Sequence, residues 1–235
     1  MEEQRINKFL SAAGFCSRRE ADRLIDQGKV TVDGKIAVCG MKVSGNEAIT
    51  IDGKALTVNK KKVLIAFNKP RGIVCTSFRG DKDNIIDFIH YPQRIYPVGR
   101  LDKESEGLIL LTNQGELVNK ILRASNYHEK EYQVQVNKPL TPERLKRMAA
   151  GINLPELDIV TRPCKIRQTG IDSFDIILTQ GINRQIRRMC EAVGYRVLNL
   201  KRVRIMNIRL KGLALGSYRN LTLQETEELY RLLGE

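Results

Sequence analysis

Two patterns of apolar residues meet near residue 60, and this change constrains the fold more than any other feature. In residues 1–58, apolar residues first recur at helical spacing in two stretches. Two stretches of alternating apolar and polar residues follow, each centred on an Asp-Gly pair. After the short basic segment at 59–62 the chain becomes more apolar. We therefore predict a small helix-helix-strand domain at 1–58, a linker at 59–62 and a larger domain at 63–235.

Glycines mark the ends of both predicted helices of the N-terminal domain. Apolar residues at helical spacing precede Gly14 and again precede Gly28. The letters SRRE, beginning at Ser17, have the form of a capping box and predict the start of the second helix there. Two hairpin turns are predicted, at Asp33-Gly34 and at Asp52-Gly53.

The larger domain mixes strand and helix patterns, which predicts an α+β fold. β-Branched and alternating patterns between turn residues predict strands at 63–67, 106–112, 130–137, 158–167, 173–179 and 196–210. Helical spacing predicts helices at 115–123, 142–150, 182–193 and 223–233. Thr141-Pro142 and the capping box that begins at Thr222 are the start signals of the second and the fourth of these helices.

The charge of the chain indicates a polyanionic partner. Forty lysines and arginines stand against 27 acidic residues, a net charge of +13, so nucleic acid is the favoured partner, with improved solubility as the alternative. Five scattered cysteines predict neither disulfides nor a zinc site and fit a reducing cytoplasm. No secretory signal or membrane-spanning stretch is expected.

Several chemistries lack their local sequence signatures. Phosphate loops, dinucleotide-binding glycine motifs, serine hydrolase elbows and zinc protease motifs do not occur, and the only histidines are His90 and His128. If the protein is an enzyme, we expect it to work without a metal or another cofactor.

The basic residues of the N-terminal domain avoid the apolar positions of its helices, which predicts one positively charged outer surface. Such a surface suits a phosphate backbone, although charges on a helix are often only solvated. The residues concerned are Arg5, Lys8, Arg18, Arg19 and Arg23.

The stretch GRLDKESEGLILLTNQG at 99–115 places Arg100 and Asp102 just before a predicted buried strand. Functional groups are often found in a loop at such a place, because a rigid scaffold holds them. The alternative is a surface turn whose acidic residues face water. A glycosidase pair is disfavoured, because the carboxylates are too close in sequence to flank a bond.

Two later segments add candidate residues. In KEYQVQV, Lys130 and Tyr132 share one face with the valines, and a tyrosine among valines is usually part of a core. In the predicted helix at 182–193, Arg184, Arg187 and Arg188 lie off the apolar face. Solvation is the usual state of such arginines, but one of them near the helix start could pair with a buried aspartate and hold it ionised.

The N-terminal stretch RINKFLSAAGFCSRREADRLIDQGKVTVDGK resembles the S4 domain, an RNA-binding module. The segments NKPRG, GRLDKESEGLILLTNQG, KEY and GINRQIRRM resemble, in order and spacing, the motifs of the RsuA-type pseudouridine synthases. Together the two resemblances cover nearly the whole chain. Further stretches most resemble a member type that acts on the large ribosomal subunit.

The resemblance implies roles for individual residues. Asp102 matches the essential aspartate, which acts at the ribose either as a nucleophile at C1′ or by assisting proton removal from C2′. Arg187 would pair with it in a pocket closed to water, and Tyr132 would stack on the uracil. Arg100 would fill the gap left by a flipped uridine. Further contacts to the RNA are expected from Leu101, Lys103, Asn183, Arg184, Gln185 and Leu200.

The resemblance also implies a fold and a substrate. The catalytic domain should have a central, mostly antiparallel sheet with the site in a basic cleft. The substrate should be a structured large-subunit ribosomal RNA with an accessible uridine, converted by a monomer without a cofactor. Transfer RNA as a second substrate stays open. The alternatives are another ribosomal RNA site and a non-catalytic ribosome assembly factor.

Overall fold

The computed structural model describes residues 3–57, 61–78 and 80–234, and the chain divides into two compact units. The first unit runs to Val63 and also takes in Tyr91–Ile95 and Asn113–Gly115, and the second contains the remainder. Of the predicted linker at 59–62, residues 59 and 60 lie outside the described residues. The predicted domain boundaries therefore stay a prediction.

The described residues of the first unit form two helices and six short strands. Ser17 caps the second helix, since its side chain accepts a hydrogen bond from the backbone N–H of Glu20 at 3.1 Å. The helices are α1 (Ile6–Ala12) and α2 (Arg18–Asp26). The strands are β1 (Gln4–Arg5), β2 (Val30–Val32), β3 (Lys35–Ile36), β4 (Lys42–Val43), β5 (Ile49–Ile51) and β6 (Lys54–Ala55).

Both predicted Asp-Gly hairpin turns are present in this unit. Asp33 and Gly34 join β2 to β3 with φ angles of 49° and 77°, and Asp52 and Gly53 join β5 to β6 with φ angles of 48° and 75°. Positive φ at both central residues is the geometry that matches the twist of a two-residue hairpin. The strands form a sheet in the order β3-β2-β5-β6, and β1 pairs with β4.

From Leu64 onward the chain forms an α+β domain. Its strands are β7 (Leu64–Lys69), β8 (Tyr96–Pro97), β9 (Glu106–Thr112), β10 (Lys130–Val136), β11 (Asn153–Leu154), β12 (Ile159–Val160), β13 (Lys165–Gln168), β14 (Ser173–Leu178), β15 (Val197–Ile205), β16 (Ile208–Arg209) and β17 (Tyr218–Asn220). Its helices are α3 (Ile85–Ile89), α4 (Gly115–Leu122), α5 (Pro142–Ala150), α6 (Gln185–Ala192) and α7 (Leu223–Leu232). None of the helices in the described ranges is both long and apolar enough to cross a membrane.

The central sheet of this domain has the order β13-β14-β10-β15-β9-β7-β17, with β16 beside β15 and β8 beside β9. Of the pairs between these strands, β9 with β15 is parallel and the others are antiparallel. The predicted α+β fold with a mostly antiparallel sheet is confirmed.

Among the described residues, two apolar clusters lie against this sheet. One joins β10 and β14 to α6 and includes Val134, Phe174, Ile176 and Met189. The other joins β9 to α4 and α7. The run Leu108–Leu111 is fully buried, which agrees with the prediction that LILL is a core strand.

Three predicted elements differ from those observed. The strand predicted at 158–167 is broken into β12 and β13, and the strand predicted at 196–210 is the hairpin of β15 and β16, with Met206 at φ 51° in its turn. The helix predicted at 182–193 begins only at Gln185, because Arg184 has a left-handed backbone with φ 54°.

Candidate active site

Asp102 lies in a loop that the surrounding structure holds on both sides. This loop, residues 98–105, precedes β9, and we call it the β9 entrance loop. Leu101 is buried, and its N–H points to the Cys75 sulfur at 3.4 Å. Ser105 is also buried, and its N–H donates to the backbone oxygen of Asp102 at 3.0 Å. The backbone that carries the aspartate is therefore fixed at the mouth of a core strand.

The NKPRG segment at 68–72 supports the β9 entrance loop. Lys69 is fully buried, and its Nζ donates to the carbonyl oxygens of Pro70 and Ile73, both at 2.8 Å. Burial lowers the pKa of the Lys69 ammonium group. Gly72, at φ +89°, donates its N–H to the carbonyl oxygen of Lys103 at 2.8 Å. This motif thus supports the loop instead of contributing a side chain to the cavity.

A cavity of about 410 Å³ opens beside the β9 entrance loop. That volume lies within the range of pockets that bind small ligands, so it suits a single nucleotide. Eight of the predicted site residues line it: Arg100, Leu101, Asp102, Tyr132, Asn183, Arg184, Gln185 and Leu200. Lys103 does not, and forms an exposed ion pair with Asp83 at 2.9 Å.

Two arginines approach the Asp102 carboxylate without forming a hydrogen bond to it. Nη1 of Arg184 and Nε of Arg187 each lie 3.8 Å from Oδ2 of Asp102. Both arginines also reach the Glu104 carboxylate, at 3.5 and 3.8 Å. The Asp102 side chain keeps 28% of its accessible surface, so water reaches it, in contrast to the closed pocket that we expected.

Arg187 is buried, although the helical pattern predicted that it lies off the apolar face. Its side chain is 10% exposed, and Nη2 donates to Oγ of Ser105 at 3.1 Å. α6 therefore directs this guanidinium toward the β9 entrance loop. The sequence left two alternatives for these arginines, solvation or pairing with an aspartate. Arg187 adopts the second, because its guanidinium faces Asp102.

Tyr132 projects from the middle of the sheet. It is paired with Ile176 of β14 and Arg202 of β15, and the guanidinium carbon of Arg202 lies 6.0 Å from the centre of its ring. Lys130, on the same face, lines the cavity and donates from Nζ to the carbonyl oxygen of His128 at 3.3 Å. Burial, together with the charge of Arg202, lowers the pKa of Lys130 to about 8.

The sequence interpretation assigned no role to four charged or titratable residues of the cavity wall, Arg123, His128, Lys130 and Arg202. Lys130 had a signal, because the alternation of KEYQVQV places it on the face of Tyr132. Within the described ranges, no three histidine, cysteine, aspartate or glutamate side chains are grouped in a way that could hold a metal ion.

The basic residues of the first unit are mostly exposed. Arg18 and Arg19 start α2, and Arg23 forms an ion pair with Glu20 one turn later. Arg5 is exposed on β1 instead of on a helix, and Lys8 of α1 is half-buried.

The chain matches two protein families. The model of the RNA pseudouridylate synthases matches residues 63–192, and the model of the S4 domain matches residues 4–49. Since the first match covers more than half of the chain, the protein belongs to the RNA pseudouridine synthases and is an isomerase. The predictions of an S4 unit and of this enzyme class are confirmed.

Individual relatives narrow the resemblance. The chain is 51% identical to the dual-specificity RNA pseudouridine synthases RluF of Salmonella typhi and Escherichia coli, over 97% of this chain and 79% of theirs. It is 38% identical to the ribosomal large subunit pseudouridine synthase B of Bacillus subtilis, over 97% and 96%. A crystal structure of a pseudouridylate synthase superposes with a TM-score of 0.71 at 29% identity, over 96% of this chain and 99% of that one.

Proposed function

We propose that the cavity beside the β9 entrance loop receives a flipped uridine and that Asp102 acts on its ribose. The observation that carries this proposal is that Asp102, Tyr132 and Arg184 line one cavity, with Arg187 beside the carboxylate. In this proposal the Asp102 carboxylate either attacks C1′ or assists proton removal from C2′, and the guanidinium groups of Arg184 and Arg187 lie 3.8 Å from it.

The other residues of the cavity position the nucleotide. Tyr132, on the sheet surface that lines the cavity, stacks on the uracil. Arg100 is exposed at the rim of the cavity and fills the gap that the flipped base leaves in the RNA. Contacts to the flipped nucleotide and its neighbours come from Leu101, Lys103, Asn183, Gln185 and Leu200. Base flipping costs a few kcal/mol and least in a loop or bulge, which favours a structured RNA with an unpaired uridine.

The substrate that we propose is large-subunit ribosomal RNA. The name of the Bacillus subtilis relative supports it. The dual specificity in the names of the RluF relatives supports a second RNA substrate, for which we propose transfer RNA. The enzyme then acts in the cytoplasm. An S4 domain at 1–58 binds the RNA through Arg5, Lys8, Arg18, Arg19 and Arg23, and a linker at 59–62 joins it to the catalytic domain at 63–235.

A complementation experiment tests the function and the role of Asp102 together. Pseudouridines in 23S ribosomal RNA are mapped in a strain that lacks the gene and in the same strain supplied with the wild-type protein or with Asp102→Asn. We expect one uridine to lose its modification in the deletion strain and to regain it only with the wild-type protein, because the amide cannot act at the ribose.

The controls separate chemistry from binding. Asp102→Asn should bind the RNA within a few-fold of the wild-type affinity, since the change removes one carboxylate and no basic contact. Full modification with Asp102→Asn would contradict the role of the aspartate. An unchanged 23S map in the deletion strain would exclude this substrate.

A further inference from the structure

Arg202 of β15 is a buried arginine with one unpaired nitrogen at the catalytic cavity. It is 3% exposed and lines the cavity wall. Its Nε donates to the carbonyl oxygen of Leu108 at 2.7 Å, and its Nη1 to that of Arg100 at 3.5 Å. Its Nη2 is buried and has no hydrogen-bond partner among the residues that the structure describes. A buried donor without an acceptor destabilises a fold unless a ligand or a bound water supplies the acceptor.

The backbone around Arg202 leaves the guanidinium little freedom. Gly107 of β9 faces Arg202 in the parallel pair, and a Cβ added at Gly107 would lie 2.3 Å from the backbone oxygen of Arg202. Strands β9 and β15 therefore approach each other at this point more closely than a side chain would permit. Because Nε is also bound to β9, the free Nη2 is a donor with a fixed position.

The position of this donor indicates which part of a nucleotide it meets. The guanidinium carbon lies 6.0 Å from the centre of the Tyr132 ring, on which we have placed the uracil. Since the guanidinium lies over this ring and in the cavity wall, it is close to a base stacked on Tyr132 and not to the phosphate. The hydrogen-bond acceptors of uracil are its two carbonyl oxygens, O2 and O4.

We propose that Nη2 of Arg202 donates a hydrogen bond to a carbonyl oxygen of the uracil and stabilises the negative charge of the detached base. This inference rests on the proposed function. When the N1–C1′ bond breaks, its electron pair stays with the base, and the charge spreads over N1, O2 and O4. The C5–C1′ bond then forms, C5 loses its proton and N1 gains one. A fixed cation at a carbonyl oxygen favours this intermediate whichever way Asp102 acts on the ribose.

The rotation of the base explains why a rigid donor suffices. Uracil exchanges N1 for C5 at the sugar by turning about the axis through N3 and C6, and this turn also exchanges O2 with O4. A donor that meets one carbonyl oxygen before the turn therefore meets the other one afterwards. Arg202 can hold the base at both stages without moving.

Single-turnover rates on an RNA fragment that carries the target uridine test this role. Three fragments are compared, with uridine, 2-thiouridine or 4-thiouridine at that position, because sulfur is the weaker hydrogen-bond acceptor. We expect at least one thio substitution to slow the wild-type enzyme by about tenfold. Arg202→Gln should slow the uridine reaction by about 100-fold, as expected for loss of one charge-stabilising donor. This variant should react with the thio fragment no more slowly than with uridine.

Arg204→Gln is the matched control. Arg204 is a second buried arginine of β15, but it pairs with Glu129 and Glu131 and does not line the cavity. It should keep the wild-type thio effect even if it loses stability. RNA affinity and thermal unfolding of Arg202→Gln show whether its rate loss comes from misfolding.

Two results would overturn the inference. The first is a wild-type enzyme with no thio effect at either position, a measurement that needs no variant. The second is a thio effect of full size in Arg202→Gln. A wild-type enzyme that forms no pseudouridine in the fragment would instead overturn the proposed substrate.

Discussion

Lys130 is a lysine of the cavity wall whose pKa is lowered far toward neutral pH. Burial and the neighbouring Arg202 lower its pKa to about 8, and its ammonium group donates to the backbone of His128. At pH 7 the folded protein thus holds a charge that its surroundings disfavour. This charge lowers the free energy of unfolding, so the fold must be stable enough to hold it in the cavity.

Replacing Lys130 with methionine should reveal this cost as a pH dependence of stability. Between pH 8 and 10.5 the unfolded chain keeps the Lys130 proton and the folded protein loses it, so wild-type stability rises with pH in this window. From pH 7 to 9.5, the stability of the wild type relative to Lys130→Met should rise by about 2 kcal/mol. Urea unfolding of both proteins at several pH values measures it, and a difference that does not change with pH would contradict the lowered pKa.

Arg187 and Arg202, two buried arginines of the site, show what the sequence could not predict about individual residues. In QIRR, helical spacing places Arg187 off the apolar face, yet it is buried against Ser105. In LKRVRI, alternation places Arg202 on the same face as Leu200. Its partners are backbone carbonyl oxygens of β9 and of the β9 entrance loop, and no sequence pattern encodes such acceptors. The position of Asp102 before a core strand and that of Tyr132 within a strand could be predicted, because the apolar patterns of β9 and β10 are local.

At the level of elements, the parallel pair of β9 and β15 brings the two sides of the site together. The β9 entrance loop carries Asp102, while β15 carries Arg202 and Leu200. Gly107, at φ +106°, makes the close approach of the two strands possible. The register of this single pair therefore sets the distance between Asp102 and the cavity residues of β15.

Gly107→Ala should destabilise the protein by roughly 2–4 kcal/mol, because the new methyl group collides with the backbone of Arg202 and the positive φ is strained. Gly212→Ala is the control. Gly212 also has a positive φ, of +70°, but open space around it, and we expect a loss of about 1 kcal/mol. Urea unfolding compares the two, and equal losses would argue against a close approach of the strands.

Elements with strong local signals were predicted well. α5 and α7 follow capping threonines at Thr141 and Thr222, and the observed helices begin at the next residue. α3, β8 and β17 were missed, because elements of two to five residues carry too few periodic positions to be recognised. Their formation depends on pairing and packing with distant parts of the chain.

At the scale of the whole molecule, the net charge of +13 is shared between the two units. In the proposed function, the exposed arginines at the start of α2 form a phosphate-binding surface on the first unit. Affinity for RNA should therefore depend on residues outside the catalytic unit. Composition was sufficient to predict a polyanionic partner, whereas the particular RNA depends on contacts that composition does not encode.

Arg18→Gln combined with Arg19→Gln should weaken RNA binding and reduce its salt dependence. If each arginine neutralises one phosphate of single-stranded RNA, the slope of log affinity against log salt should become less steep by about 1.4. Binding titrations at several salt concentrations measure the slope. Arg231→Gln, at an exposed arginine of α7, should leave it unchanged. An unaltered slope in the double variant would exclude α2 from the RNA interface.

The place of β15 in the sheet has a consequence for biosynthesis. β15 lies between β10 and β9, so it joins the group β13-β14-β10 to the group β9-β7-β17, although it is made after β7, β9, β10, β13 and β14. During translation, residues up to Ile205 must therefore leave the ribosome before β15 can pair with both groups and complete the sheet. A nascent chain that stops before Val197 has Asp102 but lacks Leu200 and Arg202 of the cavity wall, and this order of synthesis delays catalytic competence until β15 has been made.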